Sequence, residues 1–187
     1  MTKKPIKDDI EKILISEEEI EAIVKRISAQ IDAYYANRNS RLLLLGILKG
    51  SVVFMGDLMK HITVPVEIDF MKVSSYGSGT ASGGSINILL DLYRKDLPNT
   101  DILIVEDIID SGKTLSYLVE YLRLKGAKSV RTCTLLDKPE RREVNFDADW
   151  VGITVPNEFV VGYGLDYDEK YRALPFIGVL KAEVYST

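Results

Sequence analysis

The chain has 187 residues, of which 46% are hydrophobic and 28% are charged, and it carries a formal net charge of −4. These values are typical of one globular domain with a substantial core, and the acidic balance argues against broad binding to nucleic acid. One cysteine and one histidine exclude an intrachain disulfide and a Cys/His zinc cluster, and this usage suits a reducing compartment. We expect no signal peptide and no membrane span, and therefore a cytoplasmic protein.

The first quarter of the chain predicts a helix, a strand and a second helix. Ser16 and Glu19 form a capping box, and apolar residues at helical spacing continue to about residue 37. Residues 42–47 are almost entirely apolar, which is typical of a buried strand, and they lead through residues 49–51 into another helical pattern. This order makes a candidate anion site, because free N–H groups point out of a helix N-terminus. The alternative is a surface turn with a solvated lysine.

A serine- and glycine-rich segment then separates two strand-like runs. Residues 64–70 alternate between apolar and polar side chains, and residues 86–90 resume strand character. Residues 74–85 contain five serines and four glycines, so they cannot bury enough apolar surface to order themselves. Because a long loop inside a compact domain is usually a lid or a binding loop, we predict a flexible lid here.

The most informative stretch begins with residues 102–105, which predict a buried strand, and continues with acids. Asp110 and Ser111 are candidate caps of a following helix, whose free N–H groups would bind a phosphate. Since acids repel phosphate, Glu106 and Asp107 are expected to hold magnesium or to accept hydrogen bonds from a sugar. The alternative is an edge loop with solvated acids.

The end of this stretch also resembles a Walker A loop, which would indicate a kinase. The loop requires a glycine five positions before Gly112, and Asp107 stands there. A kinase is therefore the weaker hypothesis.

The second half of the chain continues the alternation of helices and strands. A helical pattern over residues 115–122 ends near Gly126, and strands are predicted over residues 130–136, 149–155, 159–163 and 176–184. The alternation predicts a parallel α/β sheet, in which ligands bind beyond the carboxyl ends of the strands. Lys49, the acids after residue 105 and Lys138 would all lie there.

At this point the sequence resembles a known family. Residues 105–114 resemble the phosphoribosyl-pyrophosphate (PRPP) motif of the type I phosphoribosyltransferases. Segments at 48–51, 69–77, 135–139 and, most specifically, 159–167 narrow the resemblance to bacterial-type hypoxanthine(-guanine) phosphoribosyltransferases. The resemblance implies one domain over residues 1–187, with a mainly parallel central sheet flanked by helices. It also implies a small hood from the chain ends and a flexible lid at about 74–85.

The resemblance implies an activity as well as a fold. PRPP and hypoxanthine, and also guanine, would give IMP or GMP and pyrophosphate in a Mg²⁺-dependent purine salvage reaction. The family further suggests a homo-oligomer, either a dimer or a tetramer. The relative preference for hypoxanthine, guanine or xanthine is left open.

The resemblance also implies roles for single residues, with Asp110 as the general base near purine N7 and a cis peptide at Leu48–Lys49. The residues implied to bind PRPP and its phosphate are Glu106, Asp107, Ile109, Asp110, Ser111, Gly112, Lys113 and Thr114, and those implied to bind pyrophosphate are Lys49, Gly50 and Arg172. The purine would be bound by Lys138, Phe159, Val160 and Asp166, and magnesium by Glu106, Asp107 and Asp166. The lid would include Ser75 and Tyr76.

Three features depart from the family pattern. Ser111 stands where many members have threonine, Leu90 replaces a basic residue found in some members, and residues 79–84 are unusually rich in glycine and serine.

A competing class is a regulator with the same fold that binds nucleotides and RNA. Such a protein needs a basic surface, but 24 Lys and Arg residues face 28 Asp and Glu residues in this chain. Lys138, Arg141 and Arg142 form the one tight basic cluster in the sequence. We therefore expect no RNA binding.

Overall fold

The computed structural model describes residues 6–75 and 86–186. Short 3-10 helices occupy Ile6–Asp9, Leu97–Asn99 and Pro139–Arg141. The strands and longer helices are, in chain order, β1 (Ile10–Ile15), α1 (Glu17–Tyr35), β2 (Arg41–Leu48), α2 (Val52–His61), β3 (Val66–Ser75), β4 (Ile86–Leu90), β5 (Thr100–Ile109), α3 (Lys113–Leu124), β6 (Ser129–Asp137), β7 (Trp150–Thr154), β8 (Val160–Val161), β9 (Ile177–Leu180) and α4 (Ala182–Tyr185).

Most strands belong to one central sheet, in the order β4-β3-β2-β5-β6-β7. All neighbouring pairs in this sheet are parallel except β3 with β4. A small antiparallel sheet, in the order β1-β9-β8, combines strands from the two ends of the chain and forms the hood. The predicted α/β fold with a mainly parallel sheet and a hood is confirmed.

The central strands are buried on both faces, which explains their continuous apolar sequences. In β2, Leu42 and Leu44 pack into a cluster with α1 and α2, whereas Leu43 and Leu45 pack into a second cluster with α3. Because side chains alternate along a strand, this division places α1 and α2 on one face of the sheet and α3 on the other.

Helix α1 begins as its sequence predicts. The Ser16 hydroxyl accepts a hydrogen bond from Glu19 N–H at 3.2 Å, and Ser16 N–H donates to the Glu19 carboxylate at 2.7 Å. The far end of α1 packs on Trp150, whose ring meets Tyr34 edge-on with centroids 5.3 Å apart. Trp150 therefore packs against the core while it remains partly exposed.

Several predicted boundaries are wrong. Strand β3 runs to Ser75, so the loop predicted to start at residue 74 begins later, because Ser74 and Ser75 pair with β4. The strand predicted over 159–163 is reduced to Val160–Val161. The strand predicted to end at residue 184 stops at Leu180, and α4 follows it.

Strand β1 was not predicted at all. Its residues show no regular alternation of buried and exposed side chains, and its place in the fold comes from pairing with β9. A short strand whose partner is remote in sequence carries a weak local signal.

The predicted lid falls largely outside the described residues, which omit 76–85 and therefore Tyr76. Among the helices of residues 6–75 and 86–186, none combines the length and apolar character needed to cross a membrane.

Candidate active site

Three neighbouring parallel strands, β2, β5 and β6, end at one edge of the central sheet. The Leu48–Lys49 peptide, in the turn after β2, is cis as the resemblance implied. Strand β5 runs to Ile109, and Lys138 N–H donates to the Ile109 carbonyl at 2.9 Å, which joins the ends of β5 and β6. An open cavity of about 260 Å³ at this edge is lined by Ile47, Leu48, Val73, residues 106–112, Thr114 and Leu115.

The turn after β5 forms the N-terminal cap of α3. Gly112 is the cap residue, with a φ of 80° that glycine adopts without steric cost. It makes no side-chain cap, so the prediction that Asp110 or Ser111 caps this helix is wrong. The Ser111 hydroxyl instead accepts from Lys113 N–H at 3.3 Å. Within the described chain, the Ser111 and Gly112 N–H groups have no acceptor, which leaves them available to an anion.

The sequence pattern predicts that Glu106 and Asp107 follow the strand. In the structure both acids lie within β5. Asp107 is 8% exposed, and a Cβ on Gly50 would lie 1.6 Å from its Oδ2 atom. Only glycine therefore allows the turn after β2 to pack on this carboxylate. Burial, with the charge of Asp107 adding to it, raises the pKa of Glu106 well above its ordinary value of 4.5.

Glu106 and Asp107 supply the number of carboxylates that proteins usually contribute to a magnesium ion bound together with substrate. Mg²⁺ usually keeps several waters and is bound by one or two carboxylates together with substrate oxygens. No group of three or more potential metal ligands occurs in the part of the chain that the structure describes. Glu106 and Asp107 therefore fit an ion held largely by substrate, and they do not form an all-protein cage.

Two cations predicted to bind pyrophosphate meet at one carboxylate. The Glu169 Oε2 atom lies 3.0 Å from Lys49 Nζ and 3.5 Å from Arg172 Nη2. Arg172 also donates from Nη1 to the Gly164 carbonyl at 2.8 Å. Arg172 lies three positions from Glu169 in the sequence, but Lys49 lies 120 positions away. The three side chains therefore come together only in the folded chain.

Asp166, a predicted magnesium and purine ligand, is engaged by the protein itself. Its Oδ1 atom lies 2.8 Å from Arg172 Nη2, and its Oδ2 atom accepts from Glu169 N–H at 3.0 Å. Its neighbour Gly164 packs on the turn after β2, since a Cβ there would lie 2.1 Å from the Gly50 carbonyl oxygen. This contact holds the loop that carries Asp166 against the turn.

Two residues predicted to bind the purine, Lys138 and Phe159, follow β6 and precede β8 respectively, and Glu158 connects them. Lys138 is 8% exposed and donates from Nζ to the Glu158 carbonyl at 2.6 Å, and burial lowers its pKa. Phe159 remains 37% exposed. The Tyr185 ring stacks on it with centroids 4.7 Å apart, and the Tyr167 ring meets it edge-on at 5.5 Å. Phe159 is thus supported by two rings and still presents surface to a ligand.

Two more predicted residues have distinct surroundings. Val160 is 7% exposed and pairs with Val179 of β9. Asp110 Oδ1 lies 2.8 Å from Arg141 Nε, close enough for an ion pair but without hydrogen-bond alignment.

Sequence reasoning missed four residues that contact the predicted site. Arg141 and Arg142 contact Asp110, Glu169 contacts both cations, and Tyr185 contacts Phe159. The two arginines had been noted as a basic cluster, which was a usable signal. Glu169 and Tyr185 carry no local signal, because Lys49 lies 120 positions from Glu169 and the Tyr185 ring stacks on Phe159 of a separate segment.

Comparison with known proteins identifies the class. The model of the phosphoribosyl transferase domain family matches residues 12–168, most of the chain. The chain therefore belongs to the phosphoribosyltransferase family, and within it to the hypoxanthine(-guanine) phosphoribosyltransferases that its relatives represent.

These relatives match the chain over almost its whole length. The hypoxanthine-guanine phosphoribosyltransferase of Bacillus subtilis is 54% identical over 182 residues, which cover 97% of this chain and 99% of the relative. The enzyme of the same name from Streptococcus mutans is 53% identical over 181 residues, with the same coverage. A crystal structure of a hypoxanthine phosphoribosyltransferase from Staphylococcus aureus superposes with a TM-score of 0.92, at 46% identity and 100% coverage of both chains.

The chain also matches part of a longer protein. It is 54% identical over 179 residues to the bifunctional protein TilS/HprT of Listeria innocua, of which it spans 27%. Relatives of this family thus include proteins of about the length of this chain and much longer proteins.

Proposed function

We propose that this chain transfers the 5-phosphoribosyl group of PRPP to hypoxanthine and guanine, which yields IMP or GMP and pyrophosphate in purine salvage. The names of its relatives support this reaction. The observation that carries the proposal is the convergence of four features near the ends of β2, β5 and β6. They are the turn at residues 110–112 with free backbone N–H groups (the phosphate turn), the acid pair in which Asp107 is buried, the two cations that meet at Glu169, and the partly exposed Phe159 ring.

The phosphoribosyl group would bind at the end of β5. The backbone amides of residues 111–114 would hold its 5′-phosphate, and buried Ile109 would shape the site beside them. Glu106 and Asp107 would accept hydrogen bonds from the ribose hydroxyls and hold Mg²⁺. Bound there, Mg²⁺ would neutralise charge on the pyrophosphate leaving group.

The leaving group would be bound by Lys49, Gly50 and Arg172. Departure of pyrophosphate leaves positive charge on ribose C1′ and concentrates negative charge on the leaving oxygens, which these cations stabilise. Glu169, whose side chain is 66% exposed, would release them as pyrophosphate enters. Asp166 would reach a second Mg²⁺ through water.

The purine would stack on Phe159 and meet backbone groups of Val160. Lys138 would donate to purine O6, and because an ammonium group only donates, it discriminates against the 6-amino group of adenine. Asp110 would accept the proton from N7 as the purine bonds to C1′. A strong base is unnecessary there, because N7 becomes more acidic as that bond forms.

The reacting centre must be shielded, since water would destroy an oxocarbenium-like species. Ser75 and Tyr76 would close over it as part of a lid. The unusual serine and glycine content of the segment makes its closing contacts a specific target for mutation.

A panel of bases tests the function. The protein is incubated with PRPP and Mg²⁺ and with hypoxanthine, guanine, xanthine, adenine or uracil in turn, and nucleotide formation is followed by chromatography. We expect turnover of hypoxanthine and guanine, and none of adenine or uracil. Failure of every 6-oxopurine would overturn the proposal, and omission of Mg²⁺ should abolish the activity.

We further propose that the protein acts in the cytoplasm as a dimer or tetramer. The one cysteine, Cys133, is buried and unpaired, and burial raises its pKa, so it needs no oxidising compartment. Light scattering coupled to size-exclusion chromatography would measure the oligomeric state. A mass of one chain across micromolar concentrations would contradict this part of the proposal.

A further inference from the structure

Two of the three cations in the basic cluster after β6, Lys138 and Arg142, are largely buried. Lys138 Nζ points to the Glu158 carbonyl, and Arg141 lies against the Asp110 carboxylate. The side chain of Arg142 is only 15% exposed. The fold therefore turns Lys138 and Arg142 toward the site, whereas the Arg141 side chain remains 54% exposed beside Asp110.

Arg142 contacts the phosphate turn at two points. Its Nη1 atom donates to the Asp110 carbonyl at 2.7 Å, and its Cδ atom lies 2.9 Å from the position that a Cβ on Gly112 would take. Thus Arg142 touches the turn both before and at the helix cap. The neighbouring Glu143 N–H adds a hydrogen bond to the Ser111 carbonyl at 3.0 Å.

The same guanidinium also contacts the purine side of the site. Its Nη2 atom forms an ion pair with Asp137, the last residue of β6 and the neighbour of Lys138. A planar guanidinium can donate in two directions from a fixed fork, whereas an ammonium group is a point charge on a flexible stem. Arg142 thus adds a side-chain link between the residues after β5 and the end of β6, beside the backbone hydrogen bond from Lys138 to Ile109 that already joins these strand ends.

We propose that Arg142 is a positioning residue that sets the phosphate turn relative to the purine-binding lysine. This inference rests on the proposed function, because it assigns the phosphoribosyl group to one side of Arg142 and the purine to the other. Misplacement of reacting atoms by about 1 Å can cost roughly 100-fold in rate, so loss of this link affects turnover without removing any substrate contact.

The test compares Arg142→Ala, Arg142→Lys and a matched control, Arg123→Ala, which removes an exposed arginine from α3. We expect kcat at saturating PRPP and hypoxanthine to fall about 10- to 100-fold in Arg142→Ala, a larger effect than the change in either KM. Arg142→Lys should fold normally and still lose about fivefold or more in kcat, because one of the two contacts is missing. Guanidinium ion at non-denaturing concentration should partly restore Arg142→Ala and leave the control unchanged.

A binding measurement separates this inference from the function itself. Calorimetry with ribose 5-phosphate reports on the phosphate turn without turnover, and Arg142→Ala should weaken this binding about three- to tenfold, with recovery in guanidinium. An Arg142→Lys variant with kcat within twofold of the parent protein and unchanged ribose 5-phosphate affinity would overturn the inference. If the parent protein binds ribose 5-phosphate but turns over no 6-oxopurine, the proposed function fails, and the binding series alone decides the role of Arg142.

Discussion

Asp110 and Glu106 lie four residues apart in the sequence, but their surroundings differ. Both line the same cavity, but Glu106 lies within β5 next to another acid, whereas Asp110 follows β5 and lies beside Arg141. The two carboxylates are therefore expected to respond differently to the loss of their charge.

Asp110→Asn should lower kcat by about 100-fold or more, because general-base catalysis contributes on that scale. PRPP affinity should change by less than about threefold, since the backbone of the phosphate turn is kept. Steady-state kinetics and calorimetry with PRPP measure the two quantities. Asp147→Asn, a change at an exposed aspartate, is the control. Activity equal to that of the parent protein would rule out Asp110 as the base.

Glu106→Gln should stabilise the ligand-free protein at neutral pH. Burial raises the folded-state pKa of Glu106 above 4.5, so the folded state is favoured while Glu106 is protonated and loses that advantage as pH rises through the folded pKa. The amide of glutamine is neutral at every pH, so the melting temperature of the variant should exceed that of the parent at pH 8 by a few degrees. In a chain of this size, each kcal/mol of added unfolding free energy raises the melting temperature by about 2–4 °C. The difference should shrink toward pH 4.

Scanning calorimetry between pH 4 and pH 8 measures this effect, with the exposed Glu120→Gln as control. A difference in melting temperature between variant and parent that is constant across this range, or a parent that melts higher at pH 8, would contradict the raised pKa of Glu106.

Some secondary-structure elements of this chain can be predicted from their own sequences, and others cannot. Helix α1 carries its cap and its apolar spacing within its own sequence, and both are confirmed. The acids and the phosphate turn were also recognised locally, although β5 extends further and Gly112 makes the cap. The hood behaves differently, because β1, β8 and β9 are short and stabilise one another across the length of the chain.

The short helix α4 has a consequence for purine binding, because it places Tyr185 on Phe159. Tyr185→Ala should raise the KM for hypoxanthine about two- to tenfold, the range expected for loss of one aromatic pair, and leave the KM for PRPP unchanged. Tyr185→Phe should keep the stack and the parent KM. Steady-state kinetics decide the matter, with Tyr93→Ala, at a side chain 90% exposed, as control. Equal losses in the Ala and Phe variants would show that stacking is not the cause.

At the scale of the whole molecule, charge and its placement separate the enzyme from an RNA-binding regulator. The net charge is −4, and two of the three cations in the one tight basic cluster of the sequence, Lys138 and Arg142, are largely buried, which leaves Arg141 as its exposed member. We expect no gel shift with single-stranded RNA at 50 mM salt, because binding to phosphates depends on exposed lysines and arginines. A shift that weakens steeply between 50 and 200 mM salt would support the regulator instead. A basic RNA-binding protein is the positive control.

Sequence patterns were sufficient to predict the fold class, the order of the central elements and the residue types at the strand ends. Those signals lie within short windows, because strand burial, helix caps and tight turns are set by neighbouring residues. Which side chains meet across the site became clear from the folded chain, in which Arg142 contacts Asp110 over 32 positions and Lys49 contacts Glu169 over 120. These contacts depend on parallel strands ending at one edge of the sheet, so a local pattern predicts the groups present but not their partners.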